Sequence, residues 1–234
     1  MSARRLALLF AAAFAIALAL FLPLRLGLAL AGGLPAGISA QAVGGSVWRG
    51  RLDGVRLGGV PVGDLDVAAS PWSLARGRFR VAGEALRAEI RRDGVHALSG
   101  TLPLVLLDPG LGRGGEVHFD RATLRFADGG CAEAGGRMAL DVATLPPAAL
   151  RLIGDLRCAG GDAEAVLRPE TAPAPLQQLT LRLRADGSYL AEAVATPTDT
   201  GNRLALELLG FAPGPAGHVR THEGRLLTGV SEEK

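Results

Sequence analysis

The constraint that dominates the chain is its first apolar run. Leu6–Leu22, LALLFAAAFAIALALFL, contains no polar side chain, and Arg4 and Arg5 stand just before it. As a helix rising about 1.5 Å per residue it reaches roughly 25 Å, and continuing through Leu24 to Leu30 covers the roughly 30 Å hydrocarbon core of a bilayer. Arg4 and Arg5 outweigh the lone Arg25, and no charge follows from Leu26 to Trp48. Cytoplasmic flanks carry the excess of Arg and Lys, so residues 1–5 are expected in the cytoplasm, residues 6–30 as a transmembrane helix with a juxtamembrane extension, and the rest across the membrane. Two other readings compete. A cleaved signal peptide would use Ala29-Leu30-Ala31 as its small-x-small site, but its apolar region would span only about 7–15 residues. A buried soluble helix would carry a polar stripe, and this run has none. Anchor and signal alike deliver the body to an exported compartment.

That body has the composition of a turn-rich sheet. With 48% hydrophobic residues, the 33 glycines are not a sign of disorder; they punctuate short alternating runs. The net charge of +2 comes from Arg that alternates with Asp and Glu, which excludes the basic patch of a nucleic-acid binder. Cys131 and Cys158 fall in the exported part, where a pair is expected to bond and persist. There is no C-x-x-C for redox chemistry, and two thiols without a nearby His do not make a zinc site.

Ala31–Gly45 is small and uncharged and reads as a linker. From Gly44 the period becomes two: Val47, Arg49 and Arg51 on one side, Trp48, Gly50 and Leu52 on the other, then Val55/Leu57, Val60/Val62 and Leu65/Val67. Asp53-Gly54, Gly58-Gly59 and Gly63-Asp64 are expected hairpin turns. Ser70–Gly77, SPWSLARG, has the cap, the Pro and the final Gly of one short helical turn. Phe79/Val81, Leu86/Ala88/Ile90, Val117/Phe119 and Leu124/Phe126 resume the alternation, and Pro103 puts Leu98–Leu107 at an edge or a bend. A second helical turn is expected at Pro146–Ile153. Strands are expected around Leu156/Cys158, Ala163–Leu167, Leu179–Leu183, Tyr189–Ala195 and Leu204/Leu206/Leu208, and a poorly ordered tail beyond Gly210. The expected fold is all-β: one domain over residues 46–210, a long antiparallel meander forming a twisted or grooved sheet, with residues 31–45 as linker and 211–234 as flexible tail.

Motifs with chemical content fail on context. Gly110-Leu-Gly112-Arg-Gly-Gly115 fits G-x-G-x-x-G, but a pyrophosphate loop needs a helix after it, and Glu116–Phe126 alternates. His218 and His222 have the spacing of two ligands on a helix, yet Pro213, Gly214, Pro215 and Gly217 precede them. Asp64 and Asp66 read as the wet face of a half-buried strand. With no G-x-S-x-G, H-E-x-x-H or P-loop pattern, no catalytic residue, cofactor or metal is expected. Trp48, Trp72 and Tyr189 are the ring anchors available for packing or for a partner.

Gly45-Ser-Val-Trp48-Arg-Gly50, then Pro71-Trp72-x-Leu74 leading to Gly77-Arg-Phe79, then Cys131 with Gly135-Gly136, Leu145–Cys158, Asp186-Gly187-x-Tyr189 and a Leu-rich segment ending at Gly210 resemble type II secretion system protein N. The resemblance implies a single helix in the bacterial inner membrane, a periplasmic β-rich domain, and a role in assembling or supporting the secretion apparatus alongside other secretion-system proteins. The expected function is therefore a non-catalytic, tethered secretion component. The alternative is a membrane-tethered lipid-binding or lipid-transfer β-groove protein, which would need one continuously apolar concave face.

Overall fold

A computed structural model describes residues 4, 10–11, 13–14, 17, 21–30, 34, 37–70, 72–73, 76–106, 114–142, 150–171, 174, 176–197, 199–215 and 217–225. Among them is one antiparallel sheet of 15 strands. The order of elements is α1 (Leu24–Leu30), β1 (Ile38–Ser39), β2 (Ala42–Gly45), β3 (Arg49–Leu57), β4 (Val60–Ala68), β5 (Arg78–Gly83), β6 (Leu86–Arg91) and β7 (Gly94–Pro103). A short 3-10 turn at Leu104–Leu106 leads toward β8 (Gly115–Ala127), β9 (Gly130–Val142), β10 (Leu150–Ala159), β11 (Asp162–Pro169), β12 (Leu176–Leu183) and β13 (Ser188–Ala195). Then come α2 (Thr200–Leu208), β14 (Ala212–Gly214) and β15 (Gly217–Arg225). From β3 to β13 every strand pairs with the next in sequence, so the sheet is the expected meander and the fold is all-β. Chain order is broken only at the ends, where β1 and β2 both lie on β3 and β15 inserts between β13 and β14.

Period-two patterning sets one face inward. Leu52↔Leu65, Val117↔Leu140, Leu140↔Leu152 and Leu167↔Leu179 are directly opposed pairs, and all of these side chains are buried. The other face carries the charges, as in Arg51↔Asp66, Arg125↔Glu133 and Arg157↔Glu164. Burial is graded along the strands. At the end that holds Val117, Val142, Leu167 and Leu179 the inner face is closed by Leu104, Leu206 and Phe211, whereas toward the opposite end Leu124, Phe126, Leu156, Leu181 and Leu183 are only half-buried.

The turn at Gly58-Gly59 forms as expected, but Asp53-Gly54 and Gly63-Asp64 are not turns. Both lie inside continuous strands as facing irregularities, with φ of 58° at Gly54 and 101° at Gly63. Glycine supplies the left-handed backbone that such a bulge needs as readily as that of a turn, so sequence alone does not separate the two. The Gly54 N–H donates to Asp64 Oδ1 (2.9 Å), and Arg51 bridges Asp53 (2.7 Å) and Asp64 (2.8 Å), which locks the distortion in place.

Four further expectations change. The linker is partly strand, since Ile38–Ser39 and Ala42–Gly45 pair with β3. The expected helical turn over Pro146–Ile153 gives way to β10 from Leu150 onward, its earlier residues lying outside those described. Leu204, Leu206 and Leu208 belong to α2, not to a strand. The stretch after Gly210 supplies β14 and β15, the latter paired along its whole length with β13. Most of Leu6–Leu22 and the G-x-G-x-x-G segment before Gly114 lie outside the described residues, and among those described no helix is long and apolar enough to cross a membrane. Gly115 opens a strand.

Candidate functional site

An open sheet has two edges with backbone donors and acceptors to satisfy, and they are treated differently here. At the amino-terminal edge the cover is the chain itself. Leu24 of α1 is buried over Gly50, where a Cβ would stand 2.3 Å from Leu24 Cδ2. Arg25 Nε donates to the Val43 carbonyl of β2 (2.6 Å), the Val47 N–H donates to the Leu22 carbonyl (3.0 Å), and Pro23 bridges Ser46. Leu28 and Leu34 pack on the same cluster as Leu52, Val55 and Leu65. That edge is covered along β2.

At the far edge β14 covers only the first part of β15, pairing Gly214↔Gly217, Pro213↔His218 and Ala212↔Val219. Gly214 and Gly217 close a two-residue hairpin turn, so they form a hydrogen-bonded pair, and Gly217 and Val219 direct their backbone groups at β14. Alternation turns those of His218, Arg220, His222 and Gly224 toward β13, and leaves the N–H and C=O of Thr221 and Glu223 facing outward. Among the described residues no strand pairs with that part of β15.

Beside this edge lies α2. Asp199 caps it, accepting the Asn202 N–H at 2.8 Å. At its end the Phe211 N–H reaches the Leu206 carbonyl (3.0 Å) and the Gly210 N–H that of Glu207 (2.9 Å), with Gly210 at φ 84°. This is a Schellman closure, and both apolar partners it brings together, Leu206 and Phe211, are buried. The helix is held to β15 by Arg220, whose guanidinium donates to the Leu209 carbonyl, and by His218 facing Glu207 (3.9 Å). With Leu206 turned inward, Leu204 and Leu208, one helical turn apart, are exposed at 54% and 89%. A strand edge without a partner can take an added strand through backbone hydrogen bonds, and exposed apolar side chains on a helix bonded to that strand can add contact.

A family model for protein N of the type II secretion system (T2SS) matches residues 36–222, from just before β1 into β15. The chain belongs to this family. No curated protein and no solved structure matches it. Membership makes it a component of the type II secretion system and implies interaction with other components of that machinery.

In this member of the protein N family the ring residues separate by role. Tyr189 is buried, seated over Gly224 directly opposite it, with the His222 ring at 6.3 Å. Trp48 is half-buried and its carbonyl accepts the Ala69 N–H (3.2 Å). Trp72 is 78% exposed. The two Trp residues therefore share one end of the sheet, while Tyr189 packs many strands away on β13. Cys131 and Cys158 are bonded across β9 and β10, below Arg137↔Asp155, the last pair of that ladder on their side.

Charged groups on the outer face are tied into the sheet. Glu164 is almost buried and takes Arg157 (2.7 Å) and Arg182 (2.9 Å) from the strands on either side. Those two guanidiniums hold its carboxyl below the usual carboxylate range, outweighing burial. The Gly54 N–H and then Arg51 lower Asp64 in the same way. Thr101, His118 and Asp141 form a hydroxyl–imidazole–carboxylate chain over three adjacent strands, with 2.9 Å and 2.8 Å contacts. Two cavities, of about 450 and 310 Å³, are lined by Asp120, Arg121, Gly136, Arg137, Asp155 and Leu156 and by α1 with β2; none of the three residues lines either. The chain of contacts ties β7, β8 and β9 together across the outer face.

Sequence reasoning missed the open edge because it stopped the domain at Gly210. The signal was present: an Asp cap at position 199, good helix formers over Leu204–Leu209, and a Gly just past them.

Proposed function

We propose that this protein is a non-catalytic component of the type II secretion apparatus, held in the inner membrane by Leu6–Leu22, whose periplasmic sheet docks another secretion subunit along β15. One observation carries the docking reading: among the described residues, the sheet edge next to the apolar run is covered along β2 by Leu22, Arg25 and α1, and the distant one leaves Thr221 and Glu223 without a strand partner, on the strand that holds α2 with its exposed Leu204 and Leu208. The Cys131–Cys158 bond supports an oxidising compartment, and Arg4 and Arg5 ahead of the run support an amino terminus in the cytoplasm. The test is a photo-crosslinking amino acid at position 223 in bacteria that secrete through this system. An adduct with a secretion subunit is expected there and not from a crosslinker at position 120 on the outer face. Equal labelling at both positions, or none, would overturn the reading.

A second reading has its own observation. The inner face is apolar across the meander and its burial fades toward Phe126, Leu156 and Leu183, so a lipid chain has apolar surface to lie on. Delipidated protein is then expected to bind a fluorescent acyl probe, and displacement by Leu181→Asp would locate it; no binding removes this reading.

A further inference from the structure

The apolar run enters the sheet without a spacer. The Leu22 carbonyl is hydrogen-bonded to Val47 (3.0 Å), Pro23 bridges Ser46, and Leu24 already packs on Gly50. The small-residue stretch expected to separate membrane from domain comes after α1, so it does not hold the sheet away from the bilayer. The end of the sheet that carries Ser46–Trp48 thus stands at the level where the apolar run ends.

The neighbouring connection at this end, of which residues 69–70, 72–73 and 76–77 are described, is fixed to the first by the Ala69 N–H on Trp48. Within it the Ser73 N–H donates to Ser70 Oγ (3.1 Å) and the Ser70 N–H to Ser73 Oγ (2.6 Å), a reciprocal clasp that sets one helical turn. That turn presents Trp72 to solvent at 78% exposure, and Phe21, the last ring of the apolar run, is 80% exposed at the same end. Between Val67 and Gly83 there is no acidic residue, whereas Arg76, Arg78 and Arg80 follow the Trp. An indole leaves water most readily for the headgroup level of a bilayer, where its ring is in apolar surroundings and its N–H stays hydrated, and nearby Arg side chains reach lipid phosphates.

The geometry points to a second membrane contact: Trp72 and Arg76 lie in the lipid–water interface of the leaflet where the apolar run ends, Trp72 at headgroup depth and Arg76 against phosphate. This inference rests on the tethering reading and adds to it a defined attitude, with the strands rising from the bilayer by their Trp48–Trp72 end. Lipid is the occupant committed to because the Ala69 N–H is bonded to Trp48, whose chain neighbour Val47 is bonded to the Leu22 carbonyl at the end of the apolar run.

The full chain with Trp48→Phe, leaving Trp72 as the sole indole, is reconstituted into nanodiscs of phosphatidylcholine and phosphatidylglycerol with bromine near either the carbonyl or the methyl end of the acyl chains. About a twofold loss of emission with the shallow bromines, and a smaller loss with the deep ones, is expected for a ring at the interface. Unquenched emission from a chain that stays with the discs overturns this inference and leaves the tether intact; a chain that elutes apart from the discs overturns both. Subtracting Trp72→Ala from the unaltered chain gives the same reading without altering Trp48.

Discussion

The Tyr189 ring occupies the space that a side chain on Gly224 would need. The two residues are directly opposed on β13 and β15, and a Cβ on Gly224 would stand 2.4 Å from both Cζ and Oη of the tyrosine. Glycine ordinarily weakens a strand, so replacing it with a β-branched residue is expected to stabilise an unconstrained site. Here the sign reverses: Gly224→Val is expected to cost about 1–3 kcal/mol by expelling the ring. Urea unfolding measures the cost, and near-ultraviolet dichroism of the chain's one tyrosine reports the displacement. In a double-mutant cycle Tyr189→Ala should remove most of the penalty; additive costs would show that the two residues do not share the space.

Removing the disulfide by Cys131→Ser with Cys158→Ser is expected to lower stability by roughly 3–4 kcal/mol on the chain-entropy account. The bonded residues are 27 apart in sequence and cross a part of β9 and β10 where no backbone pairs are made on the Cys side of Arg137↔Asp155. The denaturation midpoint of the double variant against the oxidised chain is the measurement, and unchanged midpoints would show that the Cys131 N–H on Gly161 (2.7 Å) and the flanking hairpins hold this region unaided.

Glu164 links stability to pH. Its carboxyl is held low by Arg157 and Arg182 in the folded state, so its contribution is present above about pH 4.3, the unfolded carboxylate's value, and is lost as pH falls through the lower folded value. Glu164→Gln is expected to cost about 1–3 kcal/mol near neutrality, since Arg157 and Arg182 lose a charged acceptor. Asp64, Glu89 and Asp186 are also held low and acid-weaken both proteins alike, so the test is the difference between them. The gap should close in acid; a gap that stays constant with pH would assign the loss to packing.

Glu223→Pro separates folding from docking. Its N–H faces away from β13, so proline removes a donor that the sheet does not use, and a stability change within about 1 kcal/mol is expected. Strand addition at β15 needs that donor, so crosslinking from a neighbouring position should fall severalfold. Loss of fold would place the Glu223 N–H in the β13 ladder; an undiminished crosslink would move the partner to α2.

Much of the meander is legible in the sequence because its causes are local. Leu65/Val67, Leu179/Leu181/Leu183 and Tyr189–Ala195 alternate, the chain turns at Arg92-Asp93 just before Gly94, and it turns again at Asp186-Gly187. What the residues do not display is whether a glycine pair reverses a strand or kinks it, which depends on the partner strand: Asp64 must be present to receive the Gly54 N–H. The Leu204/Leu206/Leu208 alternation misled because period two and period 3.6 agree at a spacing of four, and the Asp199 cap decides between them. The open edge lay in a Gly/Pro-rich stretch whose strand character comes from pairing with β13 more than from its own propensities.

Because β4 through β12 each pair only with their sequence neighbours, the meander works as a ruler graduated in hairpins. Each strand adds about 4.8 Å, so the outer margin of β15 sits roughly 50 Å along the sheet from β3. A relative that gained or lost one hairpin would shift that margin by about 10 Å.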